Sequence, residues 1–195
     1  MLKSSACAKF ILAGEHSVVQ KGFALVFPLT KHQLQVEFNP HQSSSQKNEL
    51  YIGDKKATED QAQQFFNIIE ALKITLPSMG GFRVSSNIPI GSGLGSSAAL
   101  CVALLKCFEN LDVSDLAERA HLGENLVHGK SSGADPFCVS HETAMAFQSS
   151  DKSFRQLDCQ SFRRENLCFL LINTGIRHDT NCLLYTSPSP RDSCA

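Results

Sequence analysis

An α+β fold is what this chain predicts, on three observations. Apolar residues alternate along short stretches such as Leu34, Val36 and Phe38, the period of a half-exposed strand. Others recur at helical spacing, as Ala62, Phe65, Phe66, Ile69 and Leu72 do. Strand-like and helix-like segments are grouped rather than interleaved as strict βαβ units, and no internal repeat is visible.

Taken in order, residues 6–13 read as a strand running into Gly14-Glu15-His16. Residues 23–27 read as a second strand stopped by Pro28, because proline cannot donate to a ladder. Residues 32–38 read as a third strand, 40–48 as a polar loop, and 50–52 as a brief strand before a Gly53-Asp54 turn. Thr58-Glu59-Asp60-Gln61 is a capping-box signature, so a helix starts there. Its apolar stripe reads as core packing. Gly80-Gly81 breaks the chain, and residues 82–86 form a strand leading to a glycine-rich loop. Residues 97–108 read as a buried helix. Ser114 is the expected cap of the next helix, which carries Leu116, Ala117, Ala120 and Val127. Residues 143–148 and 167–173 read as strands.

The totals exclude several function classes. The chain has 195 residues, 42% of them hydrophobic and 19% charged, as in an ordinary globular protein. A formal net charge of -1 argues against a broad nucleic-acid face. No apolar run reaches membrane-span length, and the N-terminus lacks the order of a signal peptide. None of the eight cysteines forms a C-x-x-C pair, so they read as free thiols packed in a reducing cytosol rather than as zinc ligands.

The loop Pro89-Ile90-Gly91-Ser92-Gly93-Leu94-Gly95-Ser96-Ser97 has three alternating glycines ahead of a helix start. Glycine lets backbone N–H groups approach a ligand closely, and the helix N-terminus adds partial positive charge. That makes a phosphate cradle or, equally, a tight structural turn. It matches neither the Walker pattern nor G-x-G-x-x-G. Glu124 and Asp135 favour the cradle. Phosphoryl transfer needs a divalent cation held by oxygen ligands, a carboxylate for the attacking hydroxyl, and a cation beside that carboxylate. Glu124 with Ser97 can supply the first, and Asp135, expected in a loop, with Lys9 the others.

Three segments together resemble the GHMP family of small-molecule kinases, named for galactokinase, homoserine kinase, mevalonate kinase and phosphomevalonate kinase. They are Lys9 to Val19, which includes Gly14-Glu15-His16-Ser17-Val18-Val19; Gly93-Leu94-Gly95-Ser96-Ser97-Ala98-Ala99; and Gly123 to Pro136. The resemblance covers residues 3–182. It implies an N-terminal domain like the second domain of ribosomal protein S5 over residues 1–165. Residues 166–183 would then be the opening strand of a ferredoxin-like C-terminal domain.

The resemblance also implies ATP and Mg²⁺ as cofactors. Lys9 and Asp135 would be the catalytic pair, and Ser97 and Glu124 the metal ligands. Pro89, Gly91, Ser92, Gly93, Leu94, Gly95, Ser96, Ser97 and Ser132 would meet the nucleotide phosphates. Glu15, His16 and Thr180 would meet the acceptor, although His16 also reads as a turn histidine and Arg177 as a surface charge. The acceptor implied is a small alcohol, foremost mevalonate, phosphorylated to 5-phosphomevalonate in isoprenoid biosynthesis. Phosphomevalonate, homoserine or a sugar are the alternative acceptors. An inactive nucleotide-binding fragment is the alternative of another class. The expected setting is cytoplasmic, without nucleic acid or membrane partners and with a homodimer as the assembly to test.

The chain departs from the family pattern in three places. Ala6-Cys7-Ala8-Lys9 replaces Ala-Pro-Gly-Lys, and Ser131 stands where the third motif has proline. Neither change removes a charged group. Residues 184–195 carry two prolines and no apolar period, and read as a non-native tail after a reading frame cut near Cys182.

Overall fold

The computed structural model describes residues 1–40, 47–89, 91–129, 131–160 and 169–173. Within them the chain runs β1 (Leu2–Ala13), α1 (Glu15–Val19), β2 (Phe23–Asn39), β3 (Glu49–Ile52), β4 (Lys55–Lys56), α2 (Glu59–Ala71), β5 (Gly81–Ser86), α3 (Ser96–Phe108), α4 (Val113–His128), α5 (Ala134–His141), β6 (Met145–Gln148) and β7 (Ser153–Gln156). The predicted α+β class is what forms.

The seven strands of the described residues make one sheet, in the order β4-β3-β5-β2-β6-β7, with β1 paired to β2. β2 is its spine. It pairs β1 along most of its length, β5 through Leu34–Asn39 and β6 through Phe23–Val26, all antiparallel. Among the described residues the one parallel pair is β3 with β5, joined through α2. On β2, Ala24, Val26, Leu34, Val36 and Phe38 are buried, while Gln33, Gln35 and Glu37 between them are exposed or half-buried. That alternation is the mark of a sheet covered on one face.

Two strands expected on either side of Pro28 are in fact one. Pro28 lies between the β6-paired and β5-paired stretches, where β2 is bonded along a single edge, so a missing N–H is tolerated there. The register with β1 jumps at the same place, from Cys7 opposite Gln33 to Ala8 opposite Leu29. Thr30, Lys31 and His32 are the excess residues of that bulge. Asn87 pins it: its side chain accepts from the Gln33 N–H at 2.6 Å and donates to the Lys31 carbonyl at 3.1 Å.

α3 is the central helix. From Ala98 to Cys107, all but Leu100 and Lys106 are buried, as befits a helix enclosed by the core. Phe38, Phe65, Phe66, Phe82 and Phe108 make an aromatic cluster around its end, with ring centroids 4.8–5.9 Å apart. α2 begins as expected: the Gln61 N–H donates to Thr58 Oγ1, and the Thr58 N–H donates to Gln61 Oε1. Its stripe is core, with Phe65, Ile69 and Leu72 buried.

The cap of α4 is Asp112, whose Oδ1 accepts from the Asp115 N–H at 2.9 Å. Ser114 is already inside the helix. Asp and Ser cap almost equally well, and the chain direction at Asp112 decides between them. Leu116, Ala117 and Ala120 are buried as expected, and the Val127 side chain lies outside the described residues. Residues 169–173 carry no regular structure where a strand was expected. No ladder pairs them with another strand among the described residues, and Phe169, Leu170, Leu171 and Ile172 are exposed.

Candidate active site

The loop between β5 and α3 is shaped by its glycines. Gly91, Gly93 and Gly95 have φ of 71°, 74° and 74°, so alternate residues are left-handed. Such alternation turns successive N–H groups toward one side, which makes a concavity for anions. The Ser92 hydroxyl closes the turn by donating to the Pro89 carbonyl at 2.7 Å. Gly95 is the N-cap of α3 and offers no side chain to its first turn, where the first intrahelical bond runs from the Ala99 N–H to the Gly95 carbonyl. The N–H groups of Ser96, Ser97 and Ala98 therefore open the helix at the loop.

β1 brings Lys9 to this loop. Its N–H donates to the Leu94 carbonyl at 3.0 Å, and its stem passes Gly95 so closely that a Cβ there would sit 2.9 Å from Lys9 Cγ and Cε. The Lys9 side chain is only 6% exposed, and its Nζ ends 2.7 Å from Asp135 Oδ2. Asp135 was expected in a loop. It stands instead in the first turn of α5, after Gly133 at φ 91°, where the helix dipole favours a carboxylate. Pro136 follows in the same turn, where an amide donor is not needed.

Glu124 projects from the inner face of α4 and is 3% exposed. Ser131 Oγ donates to its Oε2 at 2.5 Å. Ser97 Oγ faces its Oε1 at 3.5 Å, the long limit of a hydrogen bond. Burial, and then the nearby Asp135 charge, pushes the Glu124 carboxyl up to about 8. Lys9 pairs with Asp135, and Glu124 without a cation favours its protonated form. A hard cation beside Glu124 would favour the ionised form, and a carboxylate with a hydroxyl is a suitable oxygen donor pair for Mg²⁺. Among the described residues no three His, Cys, Asp or Glu side chains cluster as a metal cage.

Of the other expected residues, Ser132 Oγ accepts from the Ala134 N–H at 3.3 Å and so caps the turn into α5. Ser96 is half-buried at the α3 N-terminus. Glu15 and His16 lie on α1, both more than half exposed, with His16 Nε2 3.9 Å from Glu15 Oε1. α1 shares a core cluster with α5 through Val18, Ala134 and Phe137. Thr180 and Arg177 lie outside the described residues.

Residue-by-residue reading missed the support beneath Glu124. The Ser131 N–H donates to Asn125 Oδ1 at 2.8 Å, and Asn125 Nδ2 lies 3.5 Å from His121 Nε2. His121 is buried under Gly133, and burial depresses its pKa. The available signal was helical spacing: His121, Glu124 and Asn125 fall on one face of α4.

Comparison with known proteins gives the family and the fold. Residues 60–142 match the GHMP kinases N terminal domain. The chain belongs to the GHMP kinase family. Mevalonate kinase of Pyrococcus furiosus is 31% identical over 160 residues, covering 68% of this chain and 47% of that protein. The chain spans about half the length of the curated relatives it matches. Among solved structures, the Methanococcus jannaschii mevalonate kinase aligns at a TM-score of 0.63 and 20% identity, over 80% of this chain and 56% of that one. L. major mevalonate kinase in complex with R-mevalonate aligns at 0.58 and 23%, over 80% and 52%. The GHMP fold is therefore shared, and residues 60–142 carry the family's N-terminal signature.

Proposed function

We propose that this chain supplies the nucleotide-binding half of an ATP-dependent kinase for a small alcohol, with mevalonate as the acceptor. The observation that carries the proposal is the ion pair of buried Lys9 with half-buried Asp135, beside a glycine cradle and an uncapped helix start. The likeness to mevalonate kinases supports the acceptor. Residues 1–165 would be the nucleotide domain and 166–183 the start of the domain that closes on it.

Asp135 accepts the proton of the attacking hydroxyl, or aligns that hydroxyl for attack. Lys9 holds Asp135 in place through their ion pair and balances charge as the phosphoryl group moves. Backbone N–H groups from Gly91 to Ser97 hold the phosphates of ATP, with Ser96 and Ser132 as further donors. Ser97 and Glu124 would hold Mg²⁺, which when bound screens charge between phosphate oxygens. Glu15, His16 and Thr180 would address the acceptor. Five described free cysteines, four of them buried, support a reducing, cytosolic setting. Among the described residues no helix is long and apolar enough to cross a membrane.

The test is ADP release from ATP–Mg²⁺ with mevalonate, phosphomevalonate, homoserine and galactose offered in parallel. Turnover with mevalonate that falls by at least a hundredfold in Asp135→Ala, while ATP still binds, supports the assignment. Near-normal turnover in that variant removes Asp135 from the chemistry. Binding of ATP–Mg²⁺ with no ADP release leaves the chain as a nucleotide-binding module.

A further inference from the structure

Ser131 stands in the turn between α4 and α5 and carries a hydroxyl, which can donate one hydrogen bond and accept others. The Ser131 hydroxyl accepts from the Gly133 N–H at 3.2 Å, so its single proton is free to point the other way. It points to Glu124 Oε2 at 2.5 Å, at the short end of O–H···O hydrogen bonds. The backbone of the same residue is tied to Asn125, the next position on α4, at 2.8 Å. Ser131 is therefore held at both its main chain and its side chain. The Glu124 carboxylate has one oxygen engaged and the other, Oε1, turned toward Ser97 and the start of α3. Asp135 follows only two residues after Gly133, so the same turn links the placement of both carboxylates.

We propose that Ser131 is a positioning residue that locks the Glu124 carboxylate with Oε1 presented toward Ser97 for the divalent cation of a bound nucleotide. This rests on the reading of Glu124 and Ser97 as cation ligands given above. An unanchored glutamate on α4 would rotate about its side-chain torsions and pay that freedom on binding. Residues that orient a metal ligand typically carry a ten- to hundredfold share of metal affinity.

The experiment is a Mn²⁺ titration of the 195-residue chain with saturating ATP, read by electron paramagnetic resonance of free Mn²⁺. Nucleotide binding in EDTA is measured alongside. Ser131→Ala should weaken Mn²⁺ by about tenfold, leave metal-free ATP binding unchanged, and be rescued to within about twofold by Ser131→Thr. Ser131→Cys, close in volume but a weak donor, should behave as the alanine variant does and serves if Ser131→Ala fails to fold. Wild-type Mn²⁺ affinity in Ser131→Ala or Ser131→Cys overturns the assignment, as does a threonine variant no better than alanine. A wild-type chain that binds ATP but no Mn²⁺ overturns the cation site itself, and one that binds neither overturns the nucleotide reading first.

Discussion

Replacing Gly95 with alanine should disturb the loop and the ion pair behind it together. Two costs add. Gly95 is left-handed at φ 74°, and an L-residue pays about 1–2 kcal/mol there. The new Cβ would also lie 2.9 Å from Lys9 Cγ and Cε. That stem cannot swing clear, because Lys9 is fixed at its N–H by Leu94 and at Nζ by Asp135. Overpacking of this kind costs about 1–3 kcal/mol. Gly93 is the internal control: its φ is also 74°, and a Cβ there meets nothing within 4 Å. Gly95→Ala should therefore lose about 3 kcal/mol or more, and Gly93→Ala about 1 kcal/mol. For a chain of this size each kcal/mol lowers Tm by about 2–4 °C. Differential scanning calorimetry on the two variants reads the difference, and a Lys9→Ala background should bring them level, since the stem is then gone. Equal Tm shifts in the wild-type background would refute the packing argument and leave only backbone strain.

Three further outcomes follow from other parts of the molecule. Glu124 holds its proton more tightly when folded than the ordinary glutamate value of 4.5, with its carboxyl near 8. Its contribution is thus most favourable below about 4.5 and declines as pH rises through about 8. In metal-free buffer, urea-unfolding stability of wild type relative to Glu124→Gln should fall over that window, and a pH-independent difference would contradict it. Asp112→Ala should cost about 1 kcal/mol and Ser114→Ala a few tenths, which would reverse if the serine were the cap. Leu104→Ala, at a fully buried position of α3, should cost about 2–5 kcal/mol in the same denaturation assay.

Legibility in the sequence followed the range of the interaction. The Thr58–Gln61 box and the α2 stripe are local, and both formed as read. The half-exposed character of residues 34–38 was readable too, because alternation depends only on which face is covered. Pro28 misled because its effect depends on which edge of β2 is bonded, and that is set by β5 and β6, far along the chain. Ser114 misled because a better-placed acceptor lay two residues earlier. At the site, the charged residues could be picked out by type. The Lys9–Asp135 contact joins residues 126 positions apart, and no local pattern announces it. Ser131 read as a loss of proline when it is also a gain of a donor, since its partner on α4 is visible only in three dimensions.

The bulge on β2 bears on how this family can vary in length. Thr30, Lys31 and His32 are surplus to the ladder, bounded by Gln33 opposite Cys7 and Leu29 opposite Ala8. A residue gained or lost among those three changes the size of a loop-out and leaves both flanking registers alone. β1 has no such reserve between Ala8 and Phe10, where each residue is paired in step. A single deletion there would turn Lys9 to the opposite face of the sheet. Insertions and deletions should thus be tolerated on one strand of this hairpin and not on the other, a few ångströms apart.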